Sequence, residues 1–60
     1  MQKYEALKAL VANMETDTQK FYNGNNAAGT RVRKHLQDVK KACQDMRNEV
    51  QEIRTTRKDA

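Results

Sequence analysis

Apolar residues recur at alternating steps of three and four along two long stretches of this chain. The first series runs through Tyr4, Leu7, Val11, Met14, Thr18 and Phe21, with Thr18 as its one polar member. The second runs through Val32, Leu36, Val39, Cys43, Met46, Val50 and Ile53. This spacing places the side chains on one stripe of a helix and is typical of a coiled-coil seam. Because the chain also lacks proline and is rich in good helix formers, we predict an all-α fold.

The segment between the two series contains both glycines of the chain. Gly24 suits the left-handed residue just past a helix C-terminus, and either Asn25 or Asn26 suits the N-cap of the next helix. We therefore predict a short helix 1 over about residues 2–22, a turn over 23–26 and a longer helix 2 over about 27–57. A turn this short makes the helices antiparallel neighbours, so that contacting residue numbers sum to about 50. The predicted fold is a two-helix hairpin in a single domain over residues 1–60.

The length of the chain limits how stable such a hairpin is alone. A chain of 60 residues buries only about 60% of its unfolded surface. One cysteine excludes a disulfide within the protomer, and one cysteine with one histidine cannot supply four zinc ligands. The pairing rule also leaves Val50 and Ile53 beyond the end of helix 1, without partners. We therefore predict a homodimer, either a four-helix bundle or paired helix 2 overhangs, with Met46, Val50 and Ile53 as dimerisation residues.

Positive charge is concentrated in the middle of the chain. The net charge is +4, and residues 25–44 hold five lysines or arginines against one aspartate. On helix 2 a seven-residue repeat aligns Arg33, Lys40, Arg47 and Arg54 in one row, and a second row begins with Lys34 and Lys41. Concentrated positive charge indicates a polyanionic partner, with nucleic acid first. In the alternative interpretation this row flanks a coiled-coil seam, and acids of helix 1 or a partner subunit (Glu5, Glu15, Asp17) neutralise it.

The start of helix 2 is a second candidate for anion binding. Its first N–H groups carry partial positive charge, and Ala27, Ala28 and Gly29 are small enough to leave them open. The alternative is that Ala28 and Gly29 are small so that helix 2 packs closely on Phe21. The sequence GNNAAGT also imitates a phosphate-binding loop, but it lacks the lysine and the preceding strand that such a loop needs. The predicted DNA-binding residues are Thr30, Arg31, Arg33, Lys34, Lys40, Lys41, Arg47 and Arg54.

The remaining reactive side chains do not form a recognisable catalytic or metal site. We expect Cys43 to be a small buried hydrophobe and His35 to be solvated or paired with Asp38. There is no acid–base pair, metal cluster or nucleophile constellation, so we predict no enzyme activity, no cofactor and no small-molecule substrate. Nothing resembles a signal peptide, and no apolar run approaches the ~20 residues that span a bilayer. We expect a cytoplasmic protein with no membrane partner.

Most of residues 3–54 resemble a known family. The segment KFYNGNNAAGTRVRKHLQDVKKACQDMRNEVQEIR resembles the N-terminal region of bacterial linker-histone-like proteins, the chlamydial type and its relatives in Bacteroidetes. The most specific part is GNNAAGTRVRK, which contains Arg31, Arg33 and Lys34. The resemblance implies a nucleoid-associated protein that binds and compacts double-stranded DNA with little sequence preference, RNA being possible as well.

The end of the sequence differs from the chlamydial pattern. Proteins of that type continue into a long tail rich in lysine and alanine, whereas this sequence ends in TTRKDA. We therefore expect bridging of DNA by a dimer rather than compaction driven by a tail. The alternative function is a coiled-coil protein–protein interaction module that uses the overhang of helix 2.

Overall fold

The computed structural model describes residues 2–57, in which every regular element is a helix. Helix α1 spans Gln2–Asn13, α2 spans Glu15–Tyr22 and α3 spans Asn26–Arg57. Both α1 and α2 pack against α3, and together they form a rod of 50 × 15 × 15 Å. The all-α prediction is confirmed for these residues. The outermost parts of the predicted domain, residue 1 and residues 58–60, lie outside the described range.

The predicted helix 1 over about 2–22 is divided at Met14 into α1 and α2. The Met14 N–H donates to the carbonyl of Val11, three residues back rather than four, at 3.3 Å. The backbone N–H and the hydroxyl of Thr18 both donate to the Met14 carbonyl, at 2.9 Å and 2.8 Å. A threonine hydroxyl bonded to the carbonyl four residues back often bends a helix. The polar member of the first apolar series, Thr18, therefore bonds to the residue at which the helix is divided.

The turn between α2 and α3 has the geometry that its glycine and asparagine predict. Gly24 has φ 107°, in the left-handed region. The Asn25 N–H donates to the Lys20 carbonyl at 3.0 Å and the Gly24 N–H to the Phe21 carbonyl at 2.9 Å. These two bonds form a Schellman motif, which satisfies carbonyls at the end of α2. The Asn25 Oδ1 accepts a hydrogen bond from the Ala28 N–H at 3.1 Å, so Asn25 rather than Asn26 caps α3.

The helices approach each other most closely just after this turn. Ala28 is the one fully buried residue of the described range, with 0% exposure. A Cβ atom on Gly29 would lie 2.7 Å from Cδ1 of Phe21, so only glycine fits there without moving the ring. The small residues at the start of α3 therefore serve close packing, and the numbers of Gly29 and Phe21 follow the predicted pairing rule.

The inward face of α3 is rotated relative to the predicted seam. The predicted residues Val32, Val39, Met46 and Ile53 are half-buried, and so are three residues outside the predicted series, His35, Ala42 and Glu49. The other predicted row, Leu36, Cys43 and Val50, is exposed. His35, Ala42 and Glu49 lie at seven-residue intervals after Ala28. The exposed residues Leu36, Cys43 and Val50 lie at seven-residue intervals after Gly29. Because the closest approach is at Ala28, the row that begins with Ala28 faces inward.

The same rotation affects two further expectations. Cys43 is exposed, so its predicted role as a buried hydrophobe is wrong. On the first helix, Leu10 is half-buried, while Tyr4 and Val11 are exposed although both belong to the predicted series. One pair of helices covers only one edge of each apolar stripe, and the other edge stays at the surface.

Candidate nucleic-acid interface

Four exposed cations form a row along α3. We call Arg33, Lys40, Arg47 and Arg54 the cationic stripe. Neighbouring members are seven residues apart, or about 10.5 Å along the helix, so the stripe is about 32 Å long. Among residues 2–57, no carboxylate lies within 4.0 Å of any of the four. Of the three acids that were the alternative partners, Glu5 pairs with Lys8 at 3.4 Å and Asp17 pairs with other residues of α3. Glu15 forms no ion pair with any residue of the described range.

Three further predicted DNA-binding residues lie on the outer surface of α3. Thr30, Lys34 and Lys41 are exposed. Consecutive residues of a helix are about 100° apart, so Lys34 and Lys41 do not share a face with the stripe. They border an acidic row that contains Asp38, Asp45 and Glu52. Their positive field is therefore weaker than that of the stripe, although within the described residues neither lysine forms an ion pair.

Arg31 is separated from the stripe and held by an aspartate of α2. Its Nε donates to Asp17 Oδ1 at 3.0 Å, and His35 Nε2 lies 3.3 Å from Asp17 Oδ2. Arg31 and Arg33 are two residues apart, which puts them about 200° apart around the helix. The expectation that His35 is solvated or paired with Asp38 is wrong, because His35 is half-buried and its Nε2 contacts Asp17. The predicted DNA-binding residues therefore fall into three groups. These are the cationic stripe, the outer residues Thr30, Lys34 and Lys41, and Arg31, which is paired with Asp17.

Asp17 is the centre of this polar clasp, which we define as Asp17, Arg31 and His35. The hydrogen bond from Arg31 is the main cause that lowers the pKa of the Asp17 carboxyl below its usual 3.8, while partial burial opposes the shift. The charge of Arg31 and the contact with His35 lower this pKa further. Asp17 is therefore ionised at neutral pH and offsets the charge of Arg31.

The first turn of α3 is less open to an anion than its sequence suggests. The Ala28 N–H is already bonded to Asn25, and the Ala28 side chain is buried. The inner side of the turn is occupied by the contact between Gly29 and Phe21. Ala27 and Thr30 remain exposed on its outer side. The predicted phosphate site at the helix start is therefore reduced to that outer side.

Comparison with known protein families identifies the family of this chain. The family model of the histone H1-like protein Hc1 matches residues 1–56. The chain belongs to this family. It is a family of structural DNA-binding proteins rather than of enzymes, and the resemblance found in the sequence is confirmed. No curated protein and no solved structure matches the chain.

The described part of this histone H1-like chain offers little other chemistry. Within residues 2–57, no group of histidine, cysteine and acidic side chains is arranged to hold a metal ion. No helix in that range combines the length and the apolar character needed to cross a bilayer. Of the predicted dimerisation residues, Val50 is exposed, whereas Met46 and Ile53 are half-buried.

Proposed function

We propose that this chain is a histone-like, nucleoid-associated protein of the bacterial cytoplasm that binds double-stranded DNA with little sequence preference. Binding takes place through phosphate contacts of the cationic stripe, and a homodimer compacts or bridges the DNA. The observation that carries the proposal is the stripe itself, whose four members have no acidic partner among residues 2–57. Membership of the histone H1-like family supports DNA as the polyanion.

The dimensions of the stripe suit a duplex. Its length of about 32 Å is close to one helical turn of DNA, about 34–36 Å. Arginine and lysine contacts to phosphate position a protein on the duplex without reading its bases. The stripe contains no aromatic side chain on which unpaired bases would stack, so single strands and RNA rank below duplex DNA. The antiparallel hairpin that we infer for the protomer leaves the stripe exposed along α3.

A salt-titrated binding assay with duplex DNA tests the proposal. Four phosphate contacts per protomer predict a slope of log K against log salt near −3.6, and about twice that for a dimer. The double variant Lys40→Gln/Arg47→Gln should reduce the slope by about 2 per protomer. DNA of unrelated sequence should bind with nearly equal affinity.

Lys34 and Lys41, which lie outside the stripe, provide a matched control for the double variant. Lys34→Gln/Lys41→Gln removes the same charge from the same helix but leaves the stripe intact, so its salt slope should change less. Equal losses in the two double variants would show that net charge matters and the stripe does not. Absence of any binding at about 50 mM salt would contradict DNA binding altogether.

The protein–protein module remains the second candidate function, because apolar side chains are exposed on the overhang. Val50 is 41% exposed near the end of α3. If α3 uses this overhang to dock another chain, Val50→Asp/Ile53→Asp should disturb assembly while DNA binding by the protomer persists.

A further inference from the structure

The exposed apolar side chains are not confined to the overhang. A groove of about 560 Å³ lies between α2 and α3 near the turn, with Met14, Phe21, Val32 and Leu36 among its lining residues. A second groove of about 400 Å³ lies further along α3, beside Leu7, Cys43 and Val50. Leu36 is 49% exposed and Val11, on α1, is 50% exposed. The apolar surface therefore extends along most of the length over which the helices pack.

The two grooves lie on one side of the protomer. Arg33 borders the groove near the turn and Arg47 borders the second groove. Both arginines belong to the cationic stripe, so the stripe forms a common rim. We call this side the groove face. The polar clasp of Asp17 and Arg31 lies away from it, because Arg31 points about 200° away from Arg33.

The accessible surface of the protomer is larger than that of a compact monomer of its size. The surface is 5164 Å² for a chain of 7.0 kDa. A compact monomer of that mass exposes about 4,000 Å², which leaves an excess of roughly 1,100 Å². A standard stable interface covers about 800 Å² on each partner. The excess is thus sufficient for one interface with a chain of similar length.

We propose that a second copy of this chain docks on the groove face, and that this docking and DNA binding reinforce each other. A second copy fits because its own groove face supplies an apolar surface of equal length, and a twofold axis joins such faces to each other. This contact centres on Leu36, which lines the groove near the turn, and on Val11, which lines a neighbouring groove that shares Met14 and Thr18 with it. Both lie nearer the turn than the overhang residue Val50. The coupling to DNA rests on the proposed function.

The coupling follows from the position of the stripe at the rim. When two groove faces meet, the assembly carries two cationic stripes along the edges of one interface. Like charges brought into one assembly repel each other, and this repulsion opposes docking. Phosphates bound along the stripes neutralise these charges, so that DNA shifts the equilibrium toward the dimer. By linkage, the dimer binds DNA more tightly than the protomer does.

The single cysteine makes the docking directly measurable. Cys43 is exposed in the protomer, between the stripe and the second groove. The rate at which Cys43 reacts with iodoacetamide should fall as protein concentration rises, in parallel with the dimer fraction from sedimentation equilibrium. Short duplex DNA should move this protection to lower protein concentration. In Lys40→Gln/Arg47→Gln, which keeps only two cations of the stripe, the shift caused by DNA should be smaller.

Substitutions on the groove face separate docking from folding. Leu36→Glu should abolish both the dimer and the protection of Cys43, with the helical circular-dichroism spectrum retained because Leu36 is half exposed. Val11→Glu should do the same from the other helix. Gln37→Glu introduces the same charge one residue further along, at an exposed position, and should leave the dimer intact.

Three results overturn the inference. The first is a monomer whose Cys43 reactivity does not depend on protein concentration, with or without DNA. The second is a dimer that Leu36→Glu leaves intact, and the third is DNA binding that does not change Cys43 reactivity. The third result contradicts the coupling but does not contradict the proposed DNA binding. Protection of Cys43 in a chain that fails to bind DNA would instead refute the proposed function and support the docking surface.

Discussion

The two ends of the protomer are built differently. At the turn end, Ala28 is fully buried, Asn25 caps α3 and Asp17 joins α2 to Arg31. At the open end, where α3 extends past the start of α1, Val50 is exposed. There, too, Glu49 Oε1 is shielded from water without a hydrogen-bond partner among the described residues. Small residues and hydrogen-bonded polar groups order the turn end, although Phe21, Tyr22 and Leu36 expose apolar surface there too. The open end has no fully buried residue among those that the structure describes.

This difference indicates which part of its surface so short a chain uses for folding. Close packing needs only small side chains where the helices approach each other at the turn. The larger apolar residues, Leu36 and Val50 among them, remain available for another chain. Regions with few buried contacts open first, so we expect the open end to unfold locally before the turn end. Substitutions at the two ends test this comparison.

The largest effect is expected from Ala28→Leu. Ala28 has no exposed surface, so a leucine would force the helices apart at their closest approach. Overpacking of this kind costs about 1–3 kcal/mol, a large part of the stability of a small domain. Urea unfolding followed by circular dichroism measures the loss, at concentrations where the chain is monomeric. Ala27→Leu is the matched control, because Ala27 is exposed and the change should be nearly neutral. Similar losses in both variants would show that the turn end is not the packed end.

A smaller loss is expected from Asn25→Ala. This change removes the acceptor of the Ala28 N–H at the start of α3, and an N-cap contributes about 1 kcal/mol. Asn26→Ala, one residue further, should have little effect because the structure assigns the cap to Asn25. The free energies of unfolding of the two variants decide between them. A greater loss in Asn26→Ala would contradict the cap assignment.

Much of the fold follows from local signals in the sequence. The beginning of α3 is predicted within one residue, because Gly24 and Asn25 have strong conformational preferences at helix ends. The break at Met14 is not predicted. The Thr18 hydroxyl bonds to the Met14 carbonyl at the break. Thr55 and Thr56 form the same type of bond in α3, which is not divided, so a threonine in the sequence does not by itself predict a break.

The candidate site was predicted less completely, because it depends on how α3 is rotated. An alternating three–four stripe defines two rows, and the sequence does not show that a single neighbouring helix covers only one of them. The burial of Ala28 selects the inner row and turns Leu36 and Cys43 outward. Asp17 was considered only as a partner of the stripe. Applied to charged residues, the pairing rule would have found its contacts, because Arg31 and His35 both lie close to the predicted register.

At the open end, a substitution is expected to increase stability. Glu49 is half-buried on the inner row, and its Oε1 atom has no partner among residues 2–57. Glu49→Leu removes this unsatisfied group and extends the apolar contact, with an expected gain below about 1 kcal/mol. Glu52→Leu, at an exposed position of the same helix, should not stabilise the protomer. A loss of stability in Glu49→Leu would show that its carboxylate makes a favourable interaction that strengthens the open end.

The smallest effect is expected from the polar clasp at the turn end, and it depends on pH. Since the pKa of Asp17 is below 3.8 in the folded chain, its ionised form favours folding. This stabilisation is fully present above pH 3.8 and is lost as pH falls through the lower, folded-state pKa. Thermal unfolding from about pH 6 to about pH 2 should show a weaker acid dependence in Asp17→Asn than in wild type. The effect is small because Arg31, its main partner, is half exposed and screened by water. Asp45→Asn, at an exposed position outside the clasp, should keep the acid dependence of wild type. If Asp17→Asn keeps it as well, the clasp does not help to hold the turn end together, and the packing around Ala28 alone accounts for the difference between the two ends.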